Sequence, residues 1–264
     1  MDTIQLSIEE LIFSFYSEGL YEQGISIKEA YFPNLQDSEL KLMLEFAARS
    51  LLAKDMVKEV NNQYKLKDEW TSFIHILAYA EKTVKASKFD SALNEEESIS
   101  FHFRSGEVYL HKLLHDHQVH YISKLPAEEM ISNLSKYFNF SSLAKQSEVL
   151  FNLKNDEFEE FLEDMSQSDS LSELIVQKWI SRMQSSNVVE LLEDISKRKG
   201  RMDSLLSLKY DSDNNPDLID LYFVIPGKTE SWLITRDANL DLDIQRVNER
   251  SINNLLLNNK ILSV

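Results

Sequence analysis

The sequence predicts an α+β protein built from two related halves, and three observations carry that prediction. Apolar and polar residues alternate through "FHFRSGEVYLHKLLHDHQVHYISKL", 101–125, the period of strands with two unlike faces. Apolar residues recur at helical spacing before and after it. The same order of helices, antiparallel strands and a strand running into a helix then returns, with "ISNL" (131–134) echoed by "INNL" (252–255). The halves divide near Asn139–Ser142, giving residues 1–139 with a winged-helix-like start and residues 140–264.

Each element follows from its residues. The N-terminal "MDTIQLSIEELIF" reads as the start of an amphipathic helix, with residues 7–18 helical and an end near Gly19. A second helix starts at Asp37 or Ser38, and Leu40, Met43, Leu44, Ala47, Ala48 and Leu51 form its buried stripe. Asn61-Asn62 then joins two short strands in a tight hairpin. A helix, a helix and a hairpin are the order of a winged helix-turn-helix. Asp68 to Ala86 reads as one further helix, with Trp70, Phe73, Ile74, Leu77, Ala78 and Val84 inward, and the polar stretch 87–98 as a loop.

In the alternating stretch, a two-residue turn at Ser105-Gly106 pairs Phe103 with Val108 and Phe101 with Leu110. A second turn at "HDHQ" sets Leu114 against Val119 and Lys112 against Tyr121. Phe101, Phe103, Val108, Leu110, Leu114, Val119, Tyr121 and Leu125 then share one face. His102, Arg104, Tyr109, His111, His120 and Lys124 share the other with Leu113 and Ile122, and this mixed face reads as half-solvated. Pro126 suits the first turn of a helix carrying Met130, Ile131, Leu134, Tyr137 and Phe138 over the apolar side. In the second half, helices near 156–165, 170–184 and 187–199 precede strands at 204–210, 218–225 and 231–236. Trp232 there faces Phe223, and a last strand runs into a closing helix near the C-terminus.

Composition closes many functional classes. With 44 acidic against 28 basic residues the formal charge is −16, so nucleic acid and anionic membrane surfaces are poor partners. The absence of cysteine excludes disulfides, thiol nucleophiles and Cys-ligated zinc. Five scattered glycines cannot assemble a phosphate-cradling loop, a dinucleotide fingerprint or a nucleophile elbow. No stretch approaches the roughly 18 apolar residues of a membrane span, and a cytoplasmic protein is expected.

The remaining candidates weigh against chemistry. His102, His111 and His120 lie on a diagonal of one sheet face, which would suit a metal, but no carboxylate sits among them. His115 and His117 fall on the turn, and His75 beside a helix stripe. "DSDNNPDLID", 211–220, opens like a calcium loop, yet Pro216 and Tyr222 stand where glycine and an acid are needed. "KRKGR", 197–201, is the end of a helix capped by Gly200. The helix after Asp37 mixes Lys41, Arg49 and Lys54 with Asp37, Glu39, Glu45 and Asp55, unlike a groove-reading helix. Carboxylate pairs such as Glu159-Glu160 lie in solvated runs. No metal site, catalytic constellation or cofactor is expected.

Four stretches together, "LSIEELIF", "LLAKDMVKEVNNQYKL", "FRSGEVYLHKLLHDHQVHYISKLPAEEMISNL" and "SWLITRDANLDLDIQRVNERSINNLL", resemble the EspG-like family, the cytosolic chaperones of type VII (ESX) secretion. The resemblance implies a non-enzymatic protein of two pseudo-symmetric α+β halves that grips a helical secretion substrate, PE/PPE-like, LXG-type or WXG-type, and keeps it soluble. On that reading Leu113 and Ile122 on the first sheet, and Tyr222 and Trp232 on the second, are candidate contacts, with ordinary packing as their alternative. A winged-helix DNA-binding regulator and a metal-dependent enzyme on the histidine face are the competing functions.

Overall fold

Ser7 is the point where extended chain becomes helix. The computed structural model describes residues 2–140, 149–166, 171–185, 187–237, 239 and 241–248. In it, β1 (Thr3–Ser7) runs directly into α1 (Ile8–Ser17). The Ser7 hydroxyl accepts from the Glu10 N–H and the Glu10 carboxylate accepts from the Ser7 N–H, a reciprocal cap. The sequence reading makes this stretch the start of a helix. Instead Ile4 and Leu6 are buried on either side of exposed Gln5, which is strand alternation.

The chain continues through α2 (Tyr21–Tyr31), α3 (Asp37–Ala53) and the hairpin of β2 (Val57–Val60) and β3 (Gln63–Leu66). Asn61 and Asn62 carry φ of 52° and 60° at the hairpin tip, which asparagine tolerates. Helix α4 (Asp68–Ala78) stops eight residues before the expected end, its last turn closed by the Tyr79 N–H on the His75 carbonyl. Residues 82–89 form strand β4 (Lys82–Phe89) because Thr83 and Val84 are β-branched and the segment pairs within a sheet. Strand β5 (Glu96–Arg104) likewise begins inside the stretch read as a loop. β6 (Glu107–Leu114), β7 (Val119–Leu125) and α5 (Glu129–Tyr137) follow.

Beyond them come β8 (Val149–Leu153), α6 (Asn155–Ser166), α7 (Glu173–Met183), α8 (Val188–Lys197), β9 (Asp203–Tyr210), β10 (Pro216–Ile225), β11 (Trp232–Arg236) and β12 (Leu242–Arg246). The protein is therefore α+β, with helices and antiparallel strands in separate runs. The closing helix expected near the C-terminus lies outside the described residues.

Two compact units divide the chain. The first comprises the chain through Thr83, Ile99–Ala127 and Tyr210–Asn215; the second comprises Val84–Ser98, Glu128–Lys209 and the chain from Pro216 onward. This grouping is not a cut near residue 139. The division into residues 1–139 and 140–264 concerns an internal duplication and stays a proposal.

In the first unit the strand order is β1-β7-β6-β5. Phe101 pairs with Leu110, Phe103 with Val108, Lys112 with Tyr121 and Leu114 with Val119, the register set by the two turns. Ser105 and Gly106 have φ of 50° and 78°, the left-handed pair that a two-residue hairpin needs. Leu6, Leu11, Phe15, Leu51, Phe73, Ile74, Tyr109 and Ile122 belong to one core cluster, so the histidine-bearing face is covered by α1 and α4.

In the second unit the order is β4-β9-β10-β11-β12-β8. Its core gathers Phe161, Trp179, Leu191, Leu192, Ile195, Trp232 and Ile244. Trp232 pairs with Ile225, and Phe223 with Ile234, so the expected Trp232–Phe223 pairing is displaced by two residues. The face is unchanged, because a two-residue slip preserves strand parity.

Candidate functional site

Nine-residue spacing builds the most unusual polar feature of the first unit. His102 on β5 lies opposite Tyr109, His111 on β6 opposite Ile122, and His120 on β7 opposite Leu113. Each histidine is therefore diagonal to the next, and the three imidazoles form a row across three strands. The ring centroids are 5.6 Å and 5.2 Å apart. Thr83 Oγ1 lies 2.9 Å from His102 Nδ1, His102 Nε2 lies 3.4 Å from His111 Nδ1, and His111 Nε2 lies 3.0 Å from His120 Nδ1. His120 Nε2 is buried without a hydrogen-bond partner.

This row is a wire rather than a chelate: ring nitrogens face one another in succession instead of converging on a point. Among the described residues, no group of three or more His, Cys, Asp and Glu is placed to hold a metal. A neutral imidazole offers one donor and one acceptor nitrogen, so the tautomer of one ring dictates that of the next. Burial holds the row neutral. It lowers His102 and His120 to about 4, and it lowers His111 well below the usual imidazole value, with the flanking His102 and His120 adding to the effect.

The sequence reading treats this face as half-solvated, and the structure is mixed: Tyr109, His120 and Ile122 are buried, while His102, Arg104, His111, Leu113 and Lys124 are half-buried. Leu11 and Phe15 of α1, Leu77 of α4, and Glu22, Gln23, Ser26 and Ile27 of α2 wall a groove of about 440 Å³ with the three imidazoles as its floor. The α2 contribution has no counterpart in the sequence reading, where residues 19–31 carry no element. Apolar and polar residues mix around this helix, and only Gly24 is buried, so helical periodicity is faint there. The spacing 102, 111, 120 was the available signal.

A second, larger groove of about 620 Å³ lies in the same unit, lined by Tyr16, Tyr21 and Tyr64 with Lys58, Lys65, Glu18 and Asp68. Lys58 is paired to Asp68 at 2.9 Å, and nothing in this groove is buried and unpartnered. His115 and His117 are exposed on the β6–β7 turn, and His75 pairs with Glu18 at 3.2 Å.

The four nominated contact residues do not gather on one open surface. Ile122 and Trp232 are 0% exposed and Tyr222 is 5% exposed. Ile122 lies beneath α1 and α4 in the first core. Trp232 lies in the second, where its Nε1 donates to Asp194 at 3.1 Å. Their burial suits the ordinary-packing alternative, and a contact role for them stays a proposal. Leu113 is half-buried and keeps accessible surface.

Comparison with known proteins places this geometry in a lineage. The family model described as "Uncharacterised protein YfjC" matches residues 3–256. A Bacillus subtilis (strain 168) protein described as "Uncharacterized protein YfjC" is 37% identical over 257 residues, 97% of this chain and 99% of that one. Among solved structures, the type VII secretion system chaperone EspG5 of Mycobacterium tuberculosis, in complex with the PE25-PPE41 dimer, superposes with a TM-score of 0.66. It covers 95% of this chain and 93% of that one at 11% identity. At that identity the likeness establishes a common fold, which is the EspG-like architecture. No helix among the described residues is long and apolar enough to cross a membrane. With the family match running nearly end to end, this chain is a member of the YfjC family.

Proposed function

We propose that this protein is a non-enzymatic cytoplasmic chaperone or adaptor that binds a helical type VII secretion substrate and keeps it soluble and competent for export. The observation that carries this reading is the fold likeness over 95% of the chain to a chaperone solved with a helical PE-PPE dimer. The acidic surface, with a net charge of −16, supports it, since like charge keeps an apolar-gripping protein from associating with itself. An LXG-type, WXG-type or PE/PPE-like helical protein is the substrate class in this reading. Leu113 is a proposed contact, while buried Ile122, Tyr222 and Trp232 shape the surfaces above them.

Co-expression with helical LXG-type and WXG-type proteins encoded beside the gene is the test. A stable complex in size-exclusion chromatography, with the partner moving from the insoluble to the soluble fraction, is expected. Leu113→Lys should weaken that complex by about tenfold or more while leaving the melting temperature unchanged, as an apolar interface core disfavours a charge. Partners that stay insoluble and form no complex would refute the reading.

A further inference from the structure

We propose that His102, His111 and His120 form a proton-operated latch that holds α2 over the sheet at neutral pH and releases it on mild acidification. The argument starts from the hydrogen-bonding limits of the row. With all three rings neutral, one polarity runs from Thr83 to His120, and both ring-to-ring contacts, 3.4 Å and 3.0 Å, are satisfied. One extra proton fits on any one ring: on His102 with the Thr83 hydroxyl turned to accept, on His111 with both neighbouring rings accepting, or on His120 through its unpartnered Nε2. A second proton puts two N–H groups face to face. The row thus tolerates at most one charge, shared among its three rings.

Apart from one carboxylate, Glu22, the surroundings do not stabilise that charge. Leu11 and Phe15 of α1, Ile27 of α2 and Leu77 of α4 supply apolar walls. On the sheet side, Arg104 and Lys124 share the histidine face and are cationic, with Lys124 paired to Glu107. His117 of the turn adds further positive charge beside His120 when protonated. On α1, Glu10 is committed to Lys54 and Glu18 to His75 of α4. Glu22 of α2 is the carboxylate that lines the groove. Burial already holds His102 and His120 to about 4, whereas in an opened groove they would return to the ordinary imidazole value. The closed form therefore binds fewer protons than the open form across the interval between those values, and it loses ground as pH falls through it.

Among the three walls, α2 is the one built to move. Helix α1 is anchored by Leu11, Ile12 and Phe15 in the core, and α4 by Phe73, Ile74 and Ile76. Helix α2 buries only Gly24, its N-cap Leu20 makes no side-chain hydrogen bond, and Tyr21 and Ile25 are 59% and 43% exposed. Gly24 lets α2 approach closely, since a Cβ there would meet the Tyr16 ring at 3.3 Å. α2 is held by Leu20 and Ile27 at the edge of the core, by the Tyr16–Tyr21 ring contact at 5.6 Å and by the close approach at Gly24, a lighter anchorage than that of α1 or α4.

Hydrogen exchange on the full-length protein tests the latch, comparing amides of residues 24–31 at about pH 7.5 and about pH 5.5 after correction for intrinsic rates. Linkage of a single proton gives about a tenfold loss of protection over that interval, and a second proton gives more. The loss should be confined to α2, with α1 and α4 unchanged, and a variant carrying His102→Gln, His111→Gln and His120→Gln, neutral at both pH values, should abolish the pH dependence. Protection in α2 that stays flat, rises through Glu22 pairing with the charged row, falls together with α1 and α4, or falls equally in the triple glutamine variant would overturn the proposal. Should the triple glutamine variant not fold, the ring-proton titrations of the three histidines in wild type decide. Coincidence with the α2 amide shifts supports the latch, and titration without those shifts sinks it. The exchange measurement needs no partner, so its failure leaves the chaperone reading untouched.

Discussion

Glu10 is the residue whose removal should most clearly loosen the N-terminal half of the first unit. Its side chain is 3% exposed, and it collects three donors: the Ser7 N–H at 2.8 Å, the Ser50 hydroxyl at 2.7 Å and the Lys54 ammonium at 2.7 Å. Those donors sit on the β1–α1 junction and on α3, so one carboxylate ties two helices and a cap together. In Glu10→Ala the lost cap is worth about 1 kcal/mol. The lost bond to Ser50 costs about 1 kcal/mol, because that hydroxyl can turn to water. The Lys54 pair adds about 1 kcal/mol, discounted because the lysine side chain is 43% exposed. A total destabilisation of about 3 kcal/mol is expected from urea unfolding followed by far-UV circular dichroism, with Glu10→Gln about half as severe. A double-mutant cycle with Lys54→Met should return a coupling of about 1 kcal/mol. A Glu10→Ala variant within about 0.5 kcal/mol of wild type, or strict additivity with Lys54→Met, would refute the idea that this carboxylate is the tie.

Three further outcomes are expected. Gly227→Ala should cost about 3 kcal/mol or more, read as a large fall in melting temperature. A Cβ at that position would lie 2.1 Å from the Glu230 carbonyl and 2.8 Å from the Asp194 carboxylate, and backbone cannot yield cheaply. Trp232→Phe should destabilise by about 2 kcal/mol in chemical denaturation, because it leaves buried Asp194 short of the indole donor 3.1 Å away. Lowering pH from about 7 to about 5 should reduce unfolding free energy by about 2 kcal/mol for each of His102 and His120 that must charge on unfolding. The neutral forms stabilise fully above the ordinary imidazole value and lose that contribution as pH falls towards about 4. Replacing both with glutamine should flatten that slope, measured by urea titration at each pH.

How much of this was legible depended on the period of each element. Strand pairing from Phe101 to Leu125 was readable residue by residue, since turn length and alternation together leave one register. Of the stripe read on α3, Ala47, Ala48 and Leu51 are buried, while Leu40, Met43 and Leu44 are only half-buried because the first half of the helix lies at the edge of the core. β1 escaped because Ile4 and Leu6 also fit the first turn of a helix, and only pairing with β7 separates the two readings. β4 escaped for a related reason: "EKTVKASKF" continues an amphipathic pattern, and the Tyr79 cap that ends α4 is a backbone event with no residue signature. α2, with only Gly24 buried, had little periodicity to find.

The candidate site shows where such reasoning stops. Alternation assigns side chains to faces, and it did so for the imidazole row and even for Trp232, whose pairing slipped by two residues without changing side. It does not say what lies on a face. A face carrying histidine, arginine and lysine reads as wet because charged groups resist burial. Histidine differs from the other two, as a neutral ring needs only one donor and one acceptor to be satisfied in a dry interior. Three rings in register satisfy each other along the strand diagonal, so the sequence could place a titratable row under helices at the cost of one unpartnered nitrogen, His120 Nε2. The polar content that argued for solvent is thus compatible with partial cover, with His120 buried and His102 and His111 half-buried on the floor of a groove.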